Sequence, residues 1–230
     1  MQVKLTPIST LNVNVLNSDE YIATLNDPEA NKYLECRFQS QTLSSVLEYI
    51  ESLSDNVRFF KIISKEHLIT VGTSQMPVKP VDTWVGNIKL GPINWIHRFA
   101  EIGILIFPKY WNKGYATEAI KLISNYAFGV LHLHKLFAGC LEPNIASIKA
   151  FKKAGFTHEY TIKNQYLVNE NGYVDDLVLS KYNIKEKEPW STATSASFLQ
   201  QDLELSSIVQ EFAKPASTTQ RERVSTGVQS

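Results

Sequence analysis

Residues 100–156 read AEIGILIFPKYWNKGYATEAIKLISNYAFGVLHLHKLFAGCLEPNIASIKAFKKAGF, and this stretch decides the fold. It follows on residues 99–107, where Ile102, Ile104, Leu105 and Ile106 make a nearly continuous apolar run, as in a strand buried on both faces. The chain then passes through Pro108-Lys109-Tyr110-Trp111-Asn112-Lys113 into Gly114-Tyr115-Ala116-Thr117. A helix over 114–130 follows, because Ala116, Ala119, Ile120, Ile123, Tyr126, Ala127 and Val130 form one apolar stripe. Residues 135–140 read as a short strand. Residues 144–154 read as a second helix, with Asn144 as N-cap and Gly155 at its stop.

Upstream, residues 58–64, 68–72 and 83–90 are β-branched and aromatic and predict three strands, the first two split by Lys65-Glu66-His67. Residues 73–82, with Pro77 and Pro80, predict a loop. Two helices are expected nearer the start, over 17–25 and 42–53. Downstream, Asn171-Gly172 is a hairpin turn joining a strand that ends near Leu167 to one over 173–180. The order predicts an α/β (α+β) fold: a mixed sheet of six or seven strands flanked by helices.

The 230 residues are 43% hydrophobic and 11% aromatic, enough for a real core. Lys plus Arg and Asp plus Glu both number 23, a formal net charge of zero. That balance lacks the basic footprint of a general nucleic-acid or anionic-membrane binder, so neither partner is expected. Cys36 and Cys140 form no CxxC pair and sit in no His cluster, which argues against a metal site and excludes a disulfide framework. No stretch approaches the ~20 apolar residues of a membrane span, and residues 1–7 carry no apolar leader. A cytoplasmic location is expected. The globular part is placed at 1–184. Residues 185–230 turn charged, then rich in Ser, Thr and Gln, and predict a largely disordered tail. Within it, 197–213 has an amphipathic pattern that suits a weakly docked helix, a helix that binds a protein partner, or chance periodicity with no helix.

The chemistry concentrates at 111–117. Small residues at 114 and 116 let a ligand approach the backbone, and the N–H groups at a helix start make an anion site to which Lys113 adds charge. A pyrophosphate fits such a site; by itself, Gly-x-Ala before a helix also suits a plain tight turn.

Two signatures, Trp111-Asn112-Lys113-Gly114-Tyr115-Ala116 and Asn144-Ile145-Ala146-Ser147 with Ala150-Phe151-Lys152-Lys153-Ala154-Gly155-Phe156, lie about 30 residues apart, and each opens a helix. On them the chain, over roughly 43–180, resembles the GNAT superfamily of acyl-CoA-dependent N-acetyltransferases, in its RimJ/RimL-like branch. The resemblance implies a mostly antiparallel sheet splayed between strands 4 and 5, with acetyl-CoA as co-substrate and no metal. The pantetheine arm would lie in the splay against Ile104, Leu105 and Ile106, one N–H there serving as oxyanion donor. Asn112, Lys113, Gly114, Tyr115, Ala116 and Thr117 would hold the pyrophosphate, with Asn144 and Phe151 near the reactive end. Asn144 also suits a plain N-cap. The family often has Trp111 as Gln or Arg, and a Tyr general acid where this chain has Phe151, which has no proton to give. Ser147 is the alternative acid.

Acyl transfer needs a base to free the amine of its proton, and Glu101, at the start of the fourth strand, is that candidate. It equally suits a sheet-edge carboxylate in an ion pair. The 86–98 connection, with Trp95, His97 and Arg98, is similar to the loop of relatives that acetylate nucleotide-activated amino sugars; Arg37 and Phe38 would form the opposite wall. The expected acceptor is therefore a small-molecule amine or a nucleotide-activated amino sugar. Acetylation of protein N-termini and a non-catalytic acyl-CoA-binding module are the alternatives. A homodimer is compatible with all of them.

Overall fold

A computed structural model describes residues 2–9, 18–66, 81–169 and 172–184. Seven strands form one sheet in the order β1-β2-β3-β4-β5-β7-β6. They are β1 (Gln2–Pro7), β2 (Arg58–Glu66), β3 (Val81–Leu90), β4 (Phe99–Ile106), β5 (Lys135–Leu141), β6 (Thr157–Asn169) and β7 (Gly172–Tyr182). Every neighbouring pair is antiparallel except β4–β5. The α-helices are α1 (Ser18–Asn26), α2 (Pro28–Asn31), α3 (Leu43–Ser52), α4 (Tyr115–Gly129) and α5 (Ile145–Lys153), with short 3-10 turns at Glu35–Phe38 and Pro108–Tyr110.

The helices start where local chemistry permits. Thr42 and Ser45 exchange side-chain and backbone hydrogen bonds in a capping box at α3. The Asp27 carboxylate accepts from two backbone N–H groups at α2. On α4 the buried side is Tyr115, Ala119, Ile120, Ile123, Ser124 and Ala127, one stripe at helical spacing. It packs against strands β1 to β4 of the sheet, where Ile62, Ile88 and Ala100 are fully buried.

Two readings change. The strand β1, unassigned in the sequence, pairs with β2 at one edge; it is short, ends on Pro7, and is fixed by partners some sixty residues away such as Lys4↔Ile63. The strand β2 runs on to Glu66, through the polar Lys65 at which the sequence pattern stops. The expected strand over 68–72, most of the loop after it, the 170–171 turn, and the tail with its 197–213 helix lie outside the described residues.

At the opposite edge, Glu159 of β6 ties three strands together. Its carboxylate accepts from Lys135 Nζ at 2.7 Å, from Tyr182 Oη at 2.8 Å and from Ser180 Oγ. The Lys135 hydrogen bond leads in holding its pKa down to about 2, followed by Ser180. A carboxylate held below its unfolded value of about 4.3 stabilises the fold above that pH, and the contribution is lost as pH falls toward 2. Glu159→Gln is therefore expected to lower Tm at pH 7, by about 1 kcal/mol of stability given a partly exposed pair. The gap to the unsubstituted protein should narrow between pH 4.5 and 2, and thermal melts across that range check it.

Candidate active site

The strands β4 and β5 are hydrogen-bonded only where they begin, Phe99–Glu101 against Lys135–Phe137. Beyond that point β4 keeps its partners on β3, from Ile102↔Leu90 to Ile106↔Gly86. The strand β5 keeps its partners on β7, from Ala138↔Leu179 to Leu141↔Asp176. The sheet thus opens into a V between its two middle strands, and the β5-facing edge of β4 from Ile102 onward has no ladder partner among the described residues. Unpaired main chain in such a gap is free to hydrogen-bond a ligand instead.

One mouth of the V leads to a cavity of about 560 Å³. Its walls include Ile104, Leu105 and Ile106 of β4 and Asn112, Gly114, Tyr115, Ala116 and Thr117 at the start of α4. Gly114 is the N-cap and adopts a left-handed backbone, φ 83°, without any side-chain cap. Glycine is required there for two reasons: the conformation costs other residues energy, and a side chain would cover the first-turn N–H groups. Those groups and the helix dipole favour an anion. Trp111, which lacks the polar head expected at its position, donates its indole N–H to the Ile106 carbonyl at 2.7 Å and so pins the loop to the end of β4. Lys113 is exposed, lies over the Tyr110 ring at 5.3 Å, and is not part of the wall. Instead, α5 brings Lys149 and Lys153 to this cavity. Their 4-residue spacing after Asn144 was the available signal in the sequence.

From α5 come also Asn144 and Ser147. The Asn144 side-chain oxygen accepts from the Ser147 N–H at 3.2 Å, so the N-cap is real, yet it uses only the oxygen and leaves the amide NH₂ to donate elsewhere. Ser147 Oγ lies 3.4 Å from Cys140 Sγ. Burial pushes the Cys140 thiol up to about 11, which keeps it protonated. Phe151 departs from expectation: it is buried in the core, edge-on to Phe156 at 5.1 Å, and does not line the cavity. On α5 the cavity side carries Ala146, Lys149, Ala150 and Lys153, and Phe151, about 100° round the helix from Ala150, turns into the core.

A second cavity, about 600 Å³, holds Glu101, and the two share Tyr33, Leu34, Ile104 and Leu105. Around Glu101 stand Asn87, Lys89, Gly103, Gly139 and Asp176, with Tyr33, Tyr49 and Tyr166 supplying aromatic walls. The Glu101 carboxyl is reached by water but lies within the cleft, and its pKa is raised, first by desolvation. Lys89 opposes the shift, while Asp176 and Glu35 add to it. Two buried side-chain atoms lack a hydrogen-bond partner among the described residues, Asn87 Nδ2 and Asp176 Oδ1, and both residues line this cavity.

The expected acceptor walls fare differently. Arg37 lines the second cavity, but its guanidinium donates to the carbonyls of Leu34 (2.9 Å) and Leu167 and stacks on Phe38 at 4.2 Å. Phe38 itself is largely exposed and outside the cavity. Trp95, His97 and Arg98 line neither cavity. An Asn94↔Phe99 bridge folds their loop back on the closed end of β4, where His97 stacks on Phe99, and this carries it away from the opening of the V. No group of side chains among the described residues could hold a metal ion, and none of the described helices is long and apolar enough to cross a membrane.

Residues 13–157 match the acetyltransferase (GNAT) domain family. The spermidine N(1)-acetyltransferase of Escherichia coli K12 is 39% identical over 84 residues, 36% of this chain and 45% of that protein. The uncharacterized N-acetyltransferase YoaA of Bacillus subtilis is 26% identical over 166 residues, 69% of this chain and 92% of that protein. The chain spans about half the length of the spermidine acetyltransferases it matches. Among solved structures, the spermidine N-acetyltransferase of Vibrio cholerae in complex with CoA and spermine superposes with a TM-score of 0.63 at 20% identity, over 81% of this chain and 99% of that one. At that identity the likeness is one of fold.

Proposed function

Because the chain belongs to the acetyltransferase (GNAT) domain family, we propose that it transfers the acetyl group of acetyl-CoA to a primary amine of a small, cationic, polyamine-like acceptor. The observation that carries this reading is the V between β4 and β5, open on one side to an uncapped helix start and on the other to Glu101. The unpaired β4 main chain fits a pantetheine arm, and the first turn of α4 with Lys149 and Lys153 fits phosphates. When bound, acetyl-CoA supplies a thioester carbonyl. The names of relatives that act on spermidine support the acceptor class. So does the second cavity, where the carboxylates of Glu35, Glu101 and Asp176 suit a cation.

The chain's own residues then do three things. Glu101 takes the ammonium proton, directly or through water, so that the nitrogen lone pair can attack the acetyl carbon. A β4 N–H beside the gap stabilises the oxygen as charge develops on it. As the N–C bond forms, the nitrogen gives up its second proton to water, the C–S bond breaks, and the thiolate departs. A thiolate of pKa ~8.5 leaves tolerably unaided, so an acid adds little. The hydroxyl of Ser147 is then dispensable in large part: Ser147→Ala is expected to lower kcat by less than about 10-fold, below the usual range for an acid–base group. A steady-state comparison of the two proteins checks it.

The assignment to the RimJ/RimL-like branch belongs with this proposal and rests on the sequence motifs. A nucleotide-sugar acceptor is not favoured, because the loop that suggested it lies outside both cavities and the carboxylates of Glu101 and Asp176 oppose a diphosphate. The test is free-thiol release from acetyl-CoA with spermidine, a monoamine, an N-terminal peptide and a nucleotide amino sugar. Turnover with spermidine best of the four supports the reading. Binding of acetyl-CoA without turnover of any amine would leave a non-catalytic acyl-CoA-binding module.

A further inference from the structure

Asp176 sits in β7 in an unusual position for a carboxylate. It is 5% exposed, and its Oδ1 has no hydrogen-bond partner among the described residues. Its neighbour Asp175, on the opposite face of the strand, is accounted for by Lys163 Nζ at 2.5 Å and the Asn164 N–H at 3.1 Å. Asp176 has only a backbone hydrogen bond at Cys140, which leaves Oδ1 unmet. A buried carboxylate with an idle oxygen is costly, and burial raises its pKa. The surroundings keep room for it: at Gly139 of β5 an added Cβ would stand 2.8 Å from Oδ2 and 3.0 Å from Oδ1. The carboxylate therefore lies over the bare backbone of Gly139, and both residues line the cavity that holds Glu101. Of the cations of that cavity, Arg37 is engaged with two backbone carbonyls, and Lys89, whose charge acts on Glu101, has its Nζ 3.4 Å from Tyr49 Oη.

We propose that Asp176 is an acceptor-binding residue, whose carboxylate receives a second, non-reacting ammonium group of the amine substrate beside the nitrogen presented to Glu101. This rests on the acetyl-transfer reading above. It makes the site select diammonium acceptors over monoamines. The bound cation completes the idle oxygen, and an N⁺–H···O⁻ bond in a desolvated site is the stronger kind. Gly139 is the specificity-determining companion, because any side chain there displaces the carboxylate.

The test compares 1,4-diaminobutane with n-butylamine, two acceptors of equal chain length, by thiol release. The unsubstituted protein is expected to show kcat/KM about 10- to 100-fold higher for the diamine, the range of one hydrogen bond to a charged group. Asp176→Asn is nearly isosteric and should erase most of that ratio through KM for the diamine, with acetyl-CoA affinity by calorimetry retained; its effect on the ionisation of Glu101 acts on both amines alike and cancels in the ratio. Gly139→Ala should shift the ratio the same way. A ratio near one in the unsubstituted protein overturns the proposal even if neither variant folds. An unchanged ratio in a folded Asp176→Asn overturns it as well, and so does an equal loss for both amines. If no amine at all is acetylated while acetyl-CoA binds, the failure is that of the acetyl-transfer reading.

Discussion

Glu101→Gln is expected to lower kcat/KM by about 10²- to 10⁴-fold, the usual worth of a positioned general base. The substitution keeps the shape and removes the proton acceptor. Its pH signature follows from the environment of Glu101. The base works only when ionised, and desolvation, assisted by Asp176 and Glu35, raises its pKa above the usual carboxylate value despite Lys89. Activity of the unsubstituted protein should therefore fall as pH drops through that raised value, beyond the fall caused by protonation of the amine itself. In Glu101→Gln that additional limb disappears, and the residual rate tracks the amine alone. Pre-steady-state or steady-state pH–rate profiles of both proteins check this, and superimposable profiles would remove Glu101 from the chemistry.

Gly114→Val is expected to weaken acetyl-CoA binding by more than about 100-fold with the protein still folded. Two penalties combine. A β-branched residue is strained at φ 83°, by about 1–2 kcal/mol for a left-handed backbone. The valine side chain also covers the N–H groups of the first turn of α4, the part of the cavity wall suited to phosphates. The strain falls in an exposed loop, so Tm should drop by only a few degrees. Calorimetric titration with acetyl-CoA reads the affinity directly. An unchanged affinity would mean that the phosphates bind elsewhere.

What was legible in the sequence was local. The start of α4 and the Asn144 cap are written in consecutive residues, so Ile104–Ile106, Asn112, Gly114–Thr117, Asn144 and Ser147 could be picked out before any coordinates, and the structure brings them to one cavity wall. Glu101 meets them from the other side because β4 alternates faces about the shared Ile104 and Leu105. The placements that the sequence did not reveal depend on distant contacts. Trp95, His97 and Arg98 are an attractive aromatic and cationic group in the chain, but a single bridge, Asn94↔Phe99, folds their loop away from the cleft. Phe151 occupies the position of a family catalytic residue and instead fills the core, where an apolar ring against Phe156 is at home. Asp176 was invisible because Asp175-Asp176 beside a hairpin reads as a solvated face. Only the pairing with β5, where Asp176 stands opposite Leu141 and its carboxylate reaches back over Gly139, shows that one of the two carboxylates is buried. The edge strand β1 was hidden for the same reason: its partners are some sixty residues away.

The most direct test of the central claim is a crystal structure of the full chain with CoA. The account predicts the pantetheine arm between β4 and β5, hydrogen-bonded to the main chain of Ile104–Ile106, with the pyrophosphate against the first turn of α4. CoA bound outside this gap, or β4 and β5 paired along their whole length with no opening after Glu101, would contradict it.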